Sequence, residues 1–316
     1  MPLALFLFFR ISTAVATLLM VSFIVFGLME LSPVQYAERC WQFRPLNEDF
    51  LVRWVKWVTD VFLRGDFGFS CIINKPINIL LADKFWVSLG LCLSSLALAY
   101  ALAIPLGIYS ATSKSRLVNN SARFLSYLGL AIPNFLLALL IVLARAVYFN
   151  ETPSGLVSRE FLGAPLSVEK ALNFLSNAWI PIVVLGWSST AIALQSVRAL
   201  VSEEIEKPYV MAARARGIAG QRLLWRYPAR HALGPVFNSL GFDLNRVFNE
   251  LPVIAFILTL SDAGALLLEA LVRSNDQPLA ATIILLLTAS IISLNLITDI
   301  ILAFVDPRFR EGLIGL

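Results

Sequence analysis

The stretch FWVSLGLCLSSLALAYALAIPLGIY, Phe85–Tyr109, decides the fold class. It carries no charged side chain and exceeds the ~20 residues that a helix needs to cross about 30 Å of hydrocarbon. The whole chain has 316 residues, 58% hydrophobic and 15% charged, with mean hydropathy +0.77, which is outside the range of soluble domains. Lipid-exposed backbone must satisfy its own hydrogen bonds, and strand alternation is absent, so helices are predicted. Six spans are predicted: Leu5–Leu28, Phe85–Tyr109, Phe124–Phe149, Trp179–Val201, Pro235–Leu260 and Leu279–Phe304.

The distribution of basic residues between the spans predicts the orientation. Lys114, Arg116 and Arg123 lie between spans two and three without any acidic residue, and basic residues outnumber acidic ones between spans four and five. Both loops are therefore expected in the cytoplasm, together with both termini. The long loop 30–84 between spans one and two is then external. It holds Cys40 and Cys71, which can pair in an oxidising compartment or stay free, and free thiols are the more common case.

A basic segment interrupts the apolar pattern between spans four and five. YVMAARARGIAGQRLLWRYPAR, Tyr209–Arg230, has five arginines and no acid. Its alanines and leucines favour helix, Gly217 can supply a positive φ for a bend, and Pro228 ends the second piece. The sequence predicts a helix, a turn and a second helix in a cytoplasmic loop spanning about 202–234. Small side chains beside the turn suit the close approach of another protein surface.

Span five carries polar side chains at mid-membrane depth, where a charge costs at least ~3 kcal/mol on insertion scales. Their spacing places them on one broad helical stripe, and Arg246 can pair with either acid. They can line a conduit or fix helix packing, and the sequence leaves both open. The residues are Asp243, Arg246, Asn249 and Glu250.

Motifs for chemistry are absent from the sequence. There is no G-x-x-x-x-G-K-[ST] loop for nucleotide phosphates, no G-x-S-x-G and no H-E-x-x-H, and His231 is the single histidine. Neither a catalytic residue, nor a cofactor site, nor a metal site is predicted in this chain, and the chain is not expected to be an enzyme. Whatever energy the chain uses must therefore come from another molecule.

Several motifs occur together in the order and spacing of a known family. YVMAARARG resembles the cytoplasmic EAA loop, with Pro235 as its later proline, and RGDFGFS at Arg64–Ser70 resembles G-D-x-G-x-S, followed by Pro76. AIPNF at Ala131–Phe135 and DPRFR at Asp306–Arg310 match further patterns. In these features the sequence resembles the membrane-spanning permease subunits of binding-protein-dependent ABC importers of the dipeptide and oligopeptide type.

Some positions depart from the family pattern. Met211 stands where the broader EAA consensus has an acid, and the I-x-L-P that ends that consensus is not recognisable. The family usually has P-G-D-P where residues 33–36 of this chain read PVQY. It usually has S-W-P-G where residues 261–264 read SDAG. The class is unaffected, but the choice of substrate among peptides, opine-like conjugates, nickel chelates and other small solutes stays open.

The resemblance implies a hetero-oligomeric importer in the bacterial inner membrane. Residues 1–316 would form a single permease domain that pairs with a second homologous permease, two ATPase subunits that hold ATP and Mg, and a periplasmic or extracellular solute-binding protein, with no nucleic-acid partner. The EAA loop would dock on an ATPase. Arg222 and Arg226 can instead lie on anionic headgroups of the lipid bilayer. The residues expected at the docking loop are Ala212, Ala213, Arg214, Ala215, Arg216, Gly217, Arg222 and Arg226.

An ion-coupled secondary transporter is the alternative. It would use the intramembrane charges of span five, but it leaves the EAA-like loop without a role, and no inverted repeat is evident. Dependence on an ATPase subunit separates the two hypotheses.

Overall fold

A computed structural model describes residues 3–30, 48–70, 72–150, 155–161 and 167–305. These ranges are helical apart from turns and one isolated bridge between Phe69 and Pro76. Short π-helical turns follow α2 and α11, at Asp60–Arg64 and Glu269–Arg273. The helices are α1 Leu3–Glu30, α2 Phe50–Thr59, α3 Ile77–Thr112, α4 Arg116–Ala131, α5 Asn134–Tyr148, α6 Val168–Ile205, α7 Pro208–Ala215, α8 Gly220–Arg226, α9 Pro228–Asn238, α10 Leu240–Ile257, α11 Ala263–Leu268 and α12 Gln277–Val305.

Four of the described helices are long and apolar enough to cross a membrane: α1, α3, α6 and α12. The bent pair formed by α4 and α5 can supply a fifth span. The prediction of an all-helical membrane protein is confirmed at this level. Six spans, and the side on which each loop lies, stay predictions.

The predicted third span was wrong as one continuous helix. The chain turns by 94° between α4 and α5. Pro133 has no backbone N–H, and its ring disfavours helical geometry for the residue before it, so Ile132 adopts φ −95° and ψ 112°. The helix therefore ends at Ala131 and restarts at Asn134.

The predicted fifth span is also divided. α9 and α10 meet at Ser239, and α10 has 18 residues that include Asp243, Arg246 and Glu250. With these three charges along its length, α10 is not among the helices counted above as long and apolar enough to cross a membrane. The charged stripe instead lies on a helix that packs inside the bundle against α3, α5, α6, α11 and α12.

The core is organised around α3 and α6, which pack along much of their lengths. A Cβ atom on Gly186 of α6 would lie 2.8 Å from the backbone oxygen of Ser95 on α3, so only glycine permits this approach. Val184 and Leu185 beside it are fully buried. Leu251 and Ile254 of α10 belong to the same buried cluster, so α10 is held against this pair of helices.

The segment between α1 and α3 forms the helix α2, which packs against α1. Phe50 and Trp54 each pack edge-on against Phe23 of α1, with 5.4 Å between ring centroids. Trp57 packs against Phe26. The possible pairing of Cys40 with Cys71, the P-G-D-P position at 33–36 and the DPRFR motif all lie outside the described residues.

Candidate functional site: the loop between α6 and α9 and the polar contacts of α10

The segment Tyr209–Arg230 contains α7, a turn and α8. At the turn, the Ile218 N–H donates to the Ala213 carbonyl at 3.3 Å, and the Gly217 N–H donates to the Arg214 carbonyl at 3.0 Å. This is a Schellman cap, which needs a left-handed residue after the helix. Gly217 has φ +82°, so the predicted positive φ is confirmed.

A small apolar cluster holds the two short helices together. Val210 and Ala213 of α7 and Leu223 of α8 are buried, with Ile218 and Tyr227 packed against them. Ala213 is 3% exposed, so it supports the loop from within and does not form part of its surface. The other residues expected at the docking loop are exposed: Ala212, Arg214, Ala215, Arg216, Gly217, Arg222 and Arg226.

The loop is anchored at its base. α9 packs against α6, and Ala229, Ala232 and Val236 of α9 share a buried cluster with Val201 of α6. The exposed tip between α7 and α8 is therefore mounted on a helix that belongs to the core.

Polar contacts surround the start of α7. Lys207 Nζ lies 2.8 Å from Glu203 Oε1, and this hydrogen bond, together with the charge of Glu203, raises the pKa of Lys207. The Tyr209 hydroxyl donates to Glu204, and its ring packs edge-on to His231 with 5.1 Å between centroids. Burial, the hydrogen bond to Glu204 and its negative charge all raise the pKa of Tyr209.

The stripe on α10 is paired with neighbouring groups. Asp243 is 2% exposed; it accepts a hydrogen bond from the Tyr100 hydroxyl of α3 at 2.7 Å and lies 3.2 Å from Arg246 Nη1. Glu250 is half-buried and accepts a hydrogen bond from the Asn134 amide of α5. Asn249 is exposed. The structure thus divides the four predicted residues into two contact groups and one exposed amide.

Sequence reasoning missed Tyr100 and Asn134 as members of this site. Asn134 lies in the AIPNF motif, which was a usable signal for a constrained position. Tyr100 gave no signal, because a tyrosine within an apolar span is common and its partner is remote in sequence. Both contacts depend on how the helices pack.

Two further buried carboxylates, Asp262 and Asp276, accept hydrogen bonds in the loops on either side of α11. Asp276 accepts hydrogen bonds from the Ser70 hydroxyl, the last residue of G-D-x-G-x-S, and from the Leu279 N–H at 3.3 Å. The Asp262 carboxylate accepts hydrogen bonds from the Ser88 hydroxyl and the Ala265 N–H, both at 2.9 Å. Burial raises the pKa of Asp262, although these hydrogen bonds oppose the shift. The departure from S-W-P-G therefore supplies a helix cap.

The described residues contain no group of three or more His, Cys, Asp or Glu side chains that could hold a metal ion. Cys92, a free thiol, is buried in α3.

Comparison with known proteins adds independent information. The profile of the family described as "Binding-protein-dependent transport system inner membrane component" matches residues 103–311. The chain is 29% identical to the oligopeptide transport system permease protein AppB of Bacillus subtilis (strain 168), over 84% of this chain and 82% of that protein. It is 31% identical to the inner membrane ABC transporter permease protein YejB of Escherichia coli O157:H7, over 84% of this chain and 72% of that protein. It is 24% identical to the probable D,D-dipeptide transport system permease protein DdpB of Escherichia coli (strain K12), over 84% of this chain and 82% of that protein.

Proposed function

Because the chain belongs to the family of binding-protein-dependent transport system inner membrane components, we propose that it forms half of a translocation pathway for peptides or peptide-like solutes. It is an integral inner-membrane permease subunit of an ABC importer of the dipeptide and oligopeptide type. The peptide part of the proposal follows from the names of its relatives. We expect the host to be a bacterium.

The proposed assembly has four kinds of subunit: this chain, a second homologous permease, two ATPases that bind ATP and Mg, and an external solute-binding protein. Six spans with both termini in the cytoplasm complete the proposed topology. In this arrangement the tip of the 202–234 loop faces the ATPases.

The observation that carries the docking proposal is the exposed, capped turn between α7 and α8. Ala212 and Ala215 leave the backbone accessible beside the turn, and Gly217 fixes its geometry. Arg222 and Arg226 extend the exposed surface onto α8. Lipid headgroups would attract the arginines but would not require small residues next to a glycine turn.

The ion-coupled alternative has no support among the relatives. Both acids of α10 also have partners in the structure. Asp243 contacts Tyr100 and Arg246, and Glu250 contacts Asn134.

Affinity purification of the full chain from its native membrane in mild detergent tests the proposal. We expect a second permease and ATPase subunits to co-purify. Ala212→Trp should remove the ATPases and retain the second permease, because a bulky side chain then covers the docking surface. Ala82→Trp, at an exposed alanine of α3, is the matched control and should retain both.

Three results would contradict parts of this proposal. A wild-type chain that transports solute without any ATPase would overturn the importer assignment. Retention of the ATPases by Ala212→Trp would remove the docking role of α7. Full retention of the ATPases by Arg222→Gln/Arg226→Gln, together with loss of binding to anionic vesicles, would assign those arginines to lipid.

A further inference from the structure

The side chain of Asn134 bridges three helices. It is the first residue of α5 and is 4% exposed. Its amide nitrogen donates to Glu250 of α10, and it also lies 3.1 Å from Ser188 Oγ and 3.3 Å from the Leu185 carbonyl of α6. Its amide oxygen accepts from the Ser188 N–H at 3.3 Å. Both ends of the amide are therefore used.

The backbone at Asn134 is fixed by the bend that precedes it. Pro133 caps α5 at the point where the chain turns by 94°, so Asn134 cannot move without moving the bend. On the other side, Ser188 and Leu185 belong to the middle of α6, which is part of the buried core. The contact with Glu250 is thus a link from α10 to two fixed elements.

The chemistry of this link suits a contact that must open. A carboxylate bound by an amide in a low-dielectric surrounding forms a stronger hydrogen bond than two neutral groups do. The amide carries no charge, so it orients Glu250 without neutralising it. A lysine or arginine here would leave a buried cation without a partner once α10 moved away.

We propose that Asn134 is a positioning residue that holds Glu250, and with it α10, against α5 and α6 in the resting state of the transporter. This inference rests on the proposed function, because α10 must shift relative to α5 and α6 for a pathway beside Glu250 to open. Breaking the link lowers the free energy needed to reach the open state and so increases its population.

The rate of ATP hydrolysis by the assembled importer without any solute measures this population. The wild-type complex, purified through this chain and placed in nanodiscs, gives the reference rate. Asn134→Asp places two carboxylates together, and we expect the rate to rise by roughly 10- to 150-fold, the shift in equilibrium that corresponds to losing one hydrogen bond to a charged group. The double variant Asn134→Asp/Glu250→Gln restores a donor and an acceptor with reversed roles. We expect its rate to return to within about twofold of the reference.

Asn177→Asp is the matched control. Asn177 is also a buried asparagine, but its amide bonds to Asn173 of the same helix, α6. We expect its solute-free hydrolysis rate to equal that of the wild type, even if its unfolding temperature falls. This variant separates the loss of a buried amide from the loss of a link between helices.

The inference is overturned if Asn134→Asp shifts thermal unfolding but leaves the hydrolysis rate unchanged, or if the double variant retains the defect of the single one. If Asn134→Asp does not assemble, Asn134→Ser is measured with the same expectation. If no ATPase co-purifies with the wild type, the proposed function fails instead. In that case a double-mutant cycle on the unfolding of the full chain decides whether Asn134 and Glu250 interact, and additive effects reject the link.

Discussion

The Tyr100 hydroxyl on α3 donates a hydrogen bond to Oδ2 of Asp243 on α10, at 2.7 Å. The other oxygen of Asp243 lies 3.2 Å from Arg246, so both carboxylate oxygens have partners. A carboxylate that is 2% exposed and doubly paired has little freedom to bind a passing solute. We infer that Asp243 fixes the packing of α10, whereas Glu250 and the exposed Asn249 stay the better pathway candidates.

Loss of Asp243, or of its hydrogen bond from Tyr100, should destabilise the protein. Tyr100→Phe removes one hydrogen bond to a buried charge and should cost about 1.5–3 kcal/mol. Asp243→Ala leaves Arg246 without its counter-ion and should cost about 3–5 kcal/mol. Thermal unfolding of the purified chain in detergent checks both values. Tyr109→Phe, at an exposed tyrosine of the same helix, is the control, and an equal effect there would contradict the prediction.

Gly217→Ala should loosen the turn between α7 and α8 without affecting the bundle. No atom lies within 4 Å of the added methyl group, so the cost of about 1–2 kcal/mol comes from the positive φ alone. We expect faster tryptic cleavage at Arg214 and Arg216 with an unchanged unfolding temperature. Gly90→Ala also enters open space, but Gly90 has no positive φ, so cleavage of the loop should stay at the wild-type rate.

The stability contribution of Asp262 should depend on pH. Burial raises its pKa in the folded state above the ordinary value of about 3.9. The folded state therefore binds the proton more tightly than the unfolded state does, and this contribution is present below about pH 4 and lost as the pH rises through the folded pKa. The unfolding temperature of the wild type relative to Asp262→Asn should fall between pH 4 and pH 7. A rise over that range would show that the hydrogen bonds outweigh burial.

Cysteine labelling tests the predicted orientation. In a background without Cys40, Cys71 and Cys92, a cysteine at Arg216 should react with a membrane-impermeant maleimide only after the cells are opened. A cysteine at Leu63, which is highly exposed beside α2, should react in intact cells once any outer membrane has been made permeable. The opposite labelling pattern would contradict the predicted orientation and would place the α7–α8 turn on the external face.

Local signals in the sequence predicted the elements that depend on nearby residues. Gly217 predicted the turn, and the lack of charge in Phe85–Tyr109 predicted a helix that the structure extends to Ile77–Thr112. Pro133 was present as a break signal, but the apolar run around it concealed the break. An apolar run shows that a segment lies in an apolar environment, but it does not show that the segment forms one continuous helix.

Contacts between helices were beyond the sequence. Asp243 and Glu250 were predicted as a stripe on one helix, but their partners Tyr100 and Asn134 are 143 and 116 positions away. Ala213 illustrates the same limit on a smaller scale, because its burial depends on Leu223 across the turn. Periodicity gives the face of a helix, and only packing decides what covers that face.

The helix α6 continues from Val168 to Ile205 although it contains Pro181, and its length has a mechanical consequence. With 38 residues it is about 57 Å long, almost twice the thickness of the hydrocarbon layer. Ser188, which contacts Asn134, lies near the midpoint of α6. The helix α9 packs against α6 near the end that leads into α7. If this midpoint acts as a fulcrum, a sideways push of a few ångströms at one end swings the far end by a similar amount in the opposite direction.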